Sequence, residues 1–125
     1  MILVGSTAGL TGSLTLMRSA HTATKGGVIA LTRQLAAEGA WHGIRVNCIS
    51  PGMVRSPATD ADLLAPDSPM RDIARAIPLG RIGTADEVVH CALFLASDEA
   101  SYVNGQAFPV DGGLTASMPY TGKPI

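Results

Sequence analysis

The sequence has 125 residues, 46% of them hydrophobic and 15% charged. That composition excludes a disordered chain and fits one compact domain, large enough to bury roughly two-thirds of its unfolded surface if its sheet and helices are complete. Nine Lys and Arg balance ten Asp and Glu for a net charge of −1, with no basic block suited to nucleic acid or an anionic membrane. No apolar run reaches the length of a membrane span, and the opening Met-Ile-Leu-Val-Gly lacks the basic flank of a secretion signal. Cys48 and Cys91 lie within apolar segments, where free thiols behave as small hydrophobes, and reduced thiols imply the cytoplasm.

Ile2 to Val4 is a continuous apolar run that ends in a Gly/Ser/Thr-rich stretch from Gly5 to Ser13, the pattern of a buried strand entering a loop. From Ser19 to Gly39 the apolar residues Ala20, Ala23, Val28, Leu31, Leu35 and Ala36 recur at helical spacing, with Arg33, Gln34 and Glu38 on the opposite side. Gly39 is the expected stop, and Trp41-His42-Gly43 leads to a second strand over Ile44 to Ile49. Strand, helix and strand make one right-handed βαβ unit.

Ser50 to Arg81 holds five prolines, Pro51, Pro57, Pro66, Pro69 and Pro78, with Asp60, Asp62 and Asp67 among them. This segment is expected to form a lid with one or two short helices, one near Met70 to Ala76. Leu63, Leu64, Met70 and Ile73 either line an apolar substrate pocket or pack the lid onto the sheet. Thr84-Ala85-Asp86-Glu87 reads as a capping box opening a helix to about Ser97, with Val88, Cys91, Ala92 and Leu95 inward. Gln106 to Val110 is a last strand, and Pro109, lacking an amide donor, places it at a sheet edge with that position outward. The fold class is α/β, with three parallel strands in the order β-α-β-lid-α-β.

Four stretches in this order, Ile-Leu-Val-Gly-Ser-Thr-Ala-Gly at 2–9, His-Thr-Ala-Thr-Lys-Gly-Gly at 21–27, Arg-Val-Asn-Cys-Ile-Ser-Pro-Gly at 45–52, and Gly-Arg-Ile-Gly, Phe-Leu-Ala-Ser-Asp and Val-Asp-Gly-Gly between 80 and 113, resemble the C-terminal half of a short-chain dehydrogenase/reductase. The resemblance covers nearly the whole chain. It implies a partial Rossmann-type sheet and an NAD- or NADP-dependent oxidoreductase that moves a hydride between nicotinamide and a small alcohol or carbonyl substrate. In that family a serine after the matching strand orients the substrate carbonyl, and Ser6 stands there, with Thr7 as the alternative. A lysine that holds the nicotinamide ribose matches Lys25. The tyrosine four residues before it, which exchanges the proton, is replaced by His21.

Positions four apart share one helix face, so His21 and Lys25 are expected to point into one cleft. Imidazole ordinarily titrates around 6.5 and phenol around 10, and a neutral imidazole is better suited to accepting a proton during alcohol oxidation than to donating one during carbonyl reduction. The opposed reading is a solvent-facing residue at a helix start in a catalytically weakened chain. Tyr102 and Tyr120 stand too far along the sequence to replace the lost phenol.

Pro51 and Gly52 resemble the family's turn beside the nicotinamide, since proline fixes φ and glycine admits close approach of a flat ring. By the same resemblance Met53 and Val54 meet the carboxamide through backbone groups, and Ser56 stands at the family's threonine position. Asn47 reads as a residue pinning local backbone, and Asp111-Gly112-Gly113 as a tight turn or subunit contact.

The glycine-rich turn that cradles a dinucleotide pyrophosphate is not found: Gly5, Gly9 and Gly12 follow the wrong strand. The chain is therefore expected to be half of a dinucleotide-binding domain, with an unpaired apolar edge on its first strand that favours homo-oligomers or pairing with the missing N-terminal half. Two other functions compete. One is a non-catalytic association module. The other is a hydrolase with Ser6 as nucleophile and His21 as base, although Gly5-Ser6-Thr7-Ala8-Gly9 is not a nucleophile elbow and no triad acid is indicated.

Overall fold

A computed structural model of the chain describes residues 1–13, 16–68 and 70–117. Three strands, β1 (Ile2–Val4), β2 (Asn47–Pro51) and β3 (Ala107–Val110), form one parallel sheet in the order β1-β2-β3. Its register pairs Ile2 with Asn47 and Cys48 with Ala107. Four helices accompany it: α1 (Ser19–Ala40), α2 (Pro57–Leu64), α3 (Met70–Arg75) and α4 (Ala85–Ala96). Short 3-10 turns cover Thr7–Gly9 and Asp98–Ala100.

The central strand carries the core. Val46, Cys48, Ile49 and Ser50 are all buried, as expected of a parallel strand covered on both faces. Ile49 packs with Leu95 and Ala100, joined by Val88, Cys91, Ala92 and Phe108, so the inward face foreseen for α4 is the observed one. β3 is an outer strand, and Pro109 is exposed opposite Ser50.

The second strand starts later than Ile44. Gly43 turns the chain at φ +69°, the Ile44 amide returns to the Gly39 carbonyl at 3.0 Å, and the Val46 amide is taken by Asn104 Oδ1 at 2.8 Å. Ladder pairing therefore begins at Asn47, and Ile44 is 46% exposed. Arg45 ties this region to the far side of the fold, its guanidinium donating to the carbonyls of Leu95, Ser97 and Val103. Asn47 does pin backbone: its amide donates to the Val103 carbonyl and its Oδ1 accepts the Gln106 amide.

Helix α1 is rotated relative to the stripe read from its apolar residues. Ile29, Thr32 and Ala36 are buried, whereas Ala20, Ala23 and Leu31 are exposed. Thr32 enters the core because its hydroxyl is satisfied within the helix, donating to the Val28 carbonyl at 2.8 Å. Pairs of backbone and small side chains also bring the helix close: a Cβ on Gly105 would meet that of Ala36 at 3.4 Å.

The lid contains two helices. Ser56 caps α2, its hydroxyl accepting the Thr59 amide at 3.1 Å, with Pro57 at the first helical position. Leu63, Met70 and Ile73 are partly buried where α2 meets α3; the side chain of Leu64 lies outside the described set, as do Pro69 and Tyr120.

Candidate active site

All three strands run the same way, so the segments leaving them emerge at one edge, where ligands bind in open parallel sheets. After β1 the Gly5 amide still bonds the Ile49 carbonyl at 2.8 Å. Gly5 is packed hard against β2: an added Cβ would lie 2.9 Å from Cys48 Sγ and 3.0 Å from Ser50 Oγ. Ser6 follows in extended conformation, half-buried, and its Oγ accepts the Ala8 amide at 3.1 Å to cap the turn Thr7–Gly9. Thr7 is 7% exposed, folded inward by that turn. Of the two hydroxyls, Ser6 is the more accessible.

Lys25 reaches this strand end directly, its ammonium donating to the Val4 carbonyl at 3.1 Å. The turn after Ser6 also touches α1 beneath that residue. A Cβ on Gly9 would sit 2.6 Å from the Lys25 carbonyl carbon and 2.7 Å from the Gly26 nitrogen, so backbone packs on backbone there. Sequence reading placed Gly9 only in the loop; its signal was a glycine three residues past a candidate serine. His21 is exposed in the first turn of α1, one turn before Lys25, and its imidazole has no hydrogen-bond partner among the described residues. No hydrogen bond joins His21 to Ser6.

At the end of β2 the Gly52 amide bonds the Val110 carbonyl at 3.0 Å. Gly52 admits no side chain, because its Cβ would lie 2.7 Å from that of Asp111. Met53 is buried, and its carbonyl is taken by the Gly83 amide at 3.1 Å, while the Arg55 amide bonds the Gly83 carbonyl at 2.9 Å. This parallel bridge between Val54 and Gly83 leaves the Val54 amide and carbonyl without partners among the described residues. Ser56 is engaged as the cap of α2.

A cleft of about 500 Å³ adjoins that bridge, lined by Met53, Val54, Leu79, Arg81, Glu87 and Asp111 among others; Ser6, His21 and Lys25 do not line it. In it Glu87 is held down to about 2 by hydrogen bonds from Arg81 and from the Thr84 amide, and Arg81 is raised by the same pair. Burial alone would raise the Asp111 carboxyl, but hydrogen bonds from Thr115 and from the Gly113 and Leu114 amides hold it below its ordinary value. Burial raises the Cys91 thiol. No cluster of metal-ligating side chains occurs among the described residues, and none of the described helices is long and apolar enough to cross a membrane.

A family model described as enoyl-(acyl carrier protein) reductase matches residues 1–115. The chain belongs to the short-chain dehydrogenase/reductase family. It is similar to 2-(S)-hydroxypropyl-CoM dehydrogenase 3 of Xanthobacter autotrophicus, 44% identical over 115 residues, covering 90% of this chain and 44% of the relative. An inactive 2-(S)-hydroxypropyl-CoM dehydrogenase 2 of the same organism is also 44% identical, over 90% of this chain and 49% of its own length. Among solved short-chain dehydrogenase/reductase structures, an Agrobacterium tumefaciens protein assigned as a 2-deoxy-D-gluconate 3-dehydrogenase, with NADP bound, superposes with a TM-score of 0.84 at 36% identity, covering 93% of this chain and 46% of that one. The chain spans about half the length of the curated relatives it matches. Its three-stranded parallel sheet with helices is part of a Rossmann-type fold, and the family is one of oxidoreductases rather than hydrolases.

Proposed function

We propose that this chain supplies the proton-transfer half of an NAD- or NADP-dependent oxidoreductase, with Ser6, His21 and Lys25 as its catalytic residues. The observation that carries the reading is the Lys25 ammonium on the Val4 carbonyl, which places the lysine at the strand end two residues before Ser6. Ser6 donates its hydroxyl to the substrate oxygen while its lone pair continues to cap the turn. His21, whose exposed imidazole has no partner among the described residues, takes the proton from an alcohol as general base and passes it to water.

The residues present fit the nicotinamide end of a cofactor. Gly52 has no side chain to obstruct a ring, and the Val54 amide and carbonyl are a free donor and acceptor of the kind a carboxamide needs. Pro51 fixes the turn, Met53 braces it from inside, and Ser56 orders the start of the lid. When bound, the nicotinamide accepts or supplies the hydride. The described residues offer no glycine-rich phosphate turn. A small alcohol or carbonyl compound is the substrate, and free cysteines suit a cytoplasmic setting.

Turnover with NAD and NADP, followed by nicotinamide absorbance, tests this in the chain alone and fused to the N-terminal half of a family member. His21→Phe is expected to lose about 100-fold or more, whereas His21→Tyr retains turnover. Unchanged activity in the Phe variant defeats the assignment.

A second reading, subunit association without catalysis, is favoured by the equal identity to the inactive relative and by the exposed apolar residues Val4, Leu93 and Phe94. Under it, neither His21 variant of the fused protein turns over, and the chain co-elutes with a full-length family member.

A further inference from the structure

Gly83 is gripped from two sides. On one, its amide donates to the Met53 carbonyl at 3.1 Å and its carbonyl accepts the Arg55 amide at 2.9 Å. These two bonds form an isolated bridge rather than a ladder, at a glycine, which has no side chain to fix its own backbone. On the other side, an ion pair takes the remaining edges of the same two peptide groups. Arg81 Nη1 donates to the Ile82 carbonyl at 3.4 Å, and Glu87 Oε2 accepts the Thr84 amide at 2.8 Å. The pair closes with two bonds of its own, Nη1 to Oε2 at 3.0 Å and Nη2 to Oε1 at 2.6 Å, the two-point geometry that suits guanidinium and carboxylate.

Capping α4 does not account for this arrangement. A capping box needs only Thr84 and Glu87, whereas Arg81 stands outside the helix and reaches the peptide next to Gly83. Gly83 lies between the carboxylate and the strand end: a Cβ there would be 3.5 Å from Glu87 Oε2 and 3.6 Å from the Met53 oxygen. The Met53 carbonyl shares a planar peptide group with the Val54 amide, and the Arg55 amide shares the next one with the Val54 carbonyl. Holding one edge of each plane therefore aims the other edge. Those aimed edges are the two Val54 groups that have no partner among the described residues.

We infer that Arg81 and Glu87 are positioning residues for nicotinamide binding: the pair holds Gly83, and through it the two peptide planes that present the Val54 amide and carbonyl to the carboxamide. This rests on the proposed cofactor site and adds to it two side chains that act through Gly83. A carboxamide carries both a donor and an acceptor, so it engages Val54 fully only when both backbone groups face it at once, and a bridge free to rotate loses one of them.

The test is an NMR titration of the 15N-labelled chain with nicotinamide mononucleotide, following the Val54 amide, together with hydrogen exchange at the Arg55 and Gly83 amides. In the parent the Val54 signal is expected to shift saturably. Glu87→Gln keeps an oxygen for the Thr84 amide but discards the charge that holds Arg81, and Arg81→Met discards the donors. Each is expected to weaken the mononucleotide at least about threefold, the scale of an exposed ion pair, and to quicken exchange at Arg55 and Gly83. Arg81→Lys, which keeps the charge, recovers part of the affinity. Both side chains are partly exposed, so these variants are expected to fold. Arg45→Met loosens the fold elsewhere and is expected to bind the mononucleotide as the parent does, which separates positioning from stability. Parent affinity in either Glu87→Gln or Arg81→Met, unchanged exchange at both amides, or an equal loss in Arg45→Met overturns the inference. A failed cofactor reading shows differently: the parent's Val54 signal ignores the mononucleotide, and the inference falls with it, while the exchange rates still report whether the pair holds the bridge.

Discussion

The ammonium of Lys25 and the carbonyl of Val4 form the hydrogen bond that ties helix α1 to the carboxyl end of strand β1. It joins the helix that carries His21 and Lys25 to the strand that leads into Ser6. Lys25→Met removes that bond, at a stability cost of about 1 kcal/mol, and is expected to lower turnover of the fused enzyme by about 100-fold or more. Paired thermal melts and rate measurements separate the two effects. A large rate loss with a melt close to that of the parent marks a group acting on cofactor or substrate.

Gly9 sets how closely the turn after Ser6 approaches that helix. Its added Cβ would strike the Lys25 carbonyl carbon at 2.6 Å and oxygen at 2.8 Å, backbone atoms that cannot swing aside. Gly9→Ala is expected to destabilise by about 1–3 kcal/mol, read from urea midpoints. Gly12 in the same loop has open space around it, so Gly12→Ala serves as the control and is neutral or slightly stabilising.

Glu87 gives the fold an acid-sensitive element. Its folded carboxyl lies at about 2, below the ordinary value for a glutamate near 4.3. A depressed folded pKa contributes stability that is full above the unfolded value and fades as pH falls from about 4.5 toward 2. The melting temperature is expected to drop through that window. Glu87→Gln should melt lower than the parent at pH 7, and the difference should close as the solution is acidified.

Arg45 joins the start of β2 to the end of α4 through three carbonyls. Arg45→Met keeps the length of the side chain and strips its donors, so Leu95, Ser97 and Val103 lose a charged partner. A loss of about 2–3 kcal/mol is expected, seen as an earlier denaturant midpoint. Hydrogen exchange is expected to quicken first at Ser97 and Val103, whose own amides close the turns there.

The strands, the α4 face and the capping box were legible because each is a local pattern: apolar runs, 3.6-residue spacing, Thr84 with Glu87. The rotation of α1 was hidden because Thr32 counts as polar until its hydroxyl is seen bonded one turn back. The true start of β2 was hidden because the Val46 amide is claimed by Asn104, a partner remote in sequence. Motif spacing brought out Ser6 and Lys25 as candidates, and the structure sets the Lys25 ammonium on the strand end that precedes Ser6. The part played by Gly9 could not be read that way, since it lies in a close backbone contact with α1.

The parallel register has a kinetic consequence. Ile2 pairs with Asn47 and Cys48 with Ala107, so each ladder closes a loop on the order of fifty residues, a separation that slows folding. Helix α1, built from local bonds, forms long before either ladder. Until β3 arrives, β2 waits with an open flank, a ready template for another chain in the same condition. Refolding yield should therefore fall as protein concentration rises, and newly made chain should depend on its carboxyl-terminal strand emerging before neighbours collide.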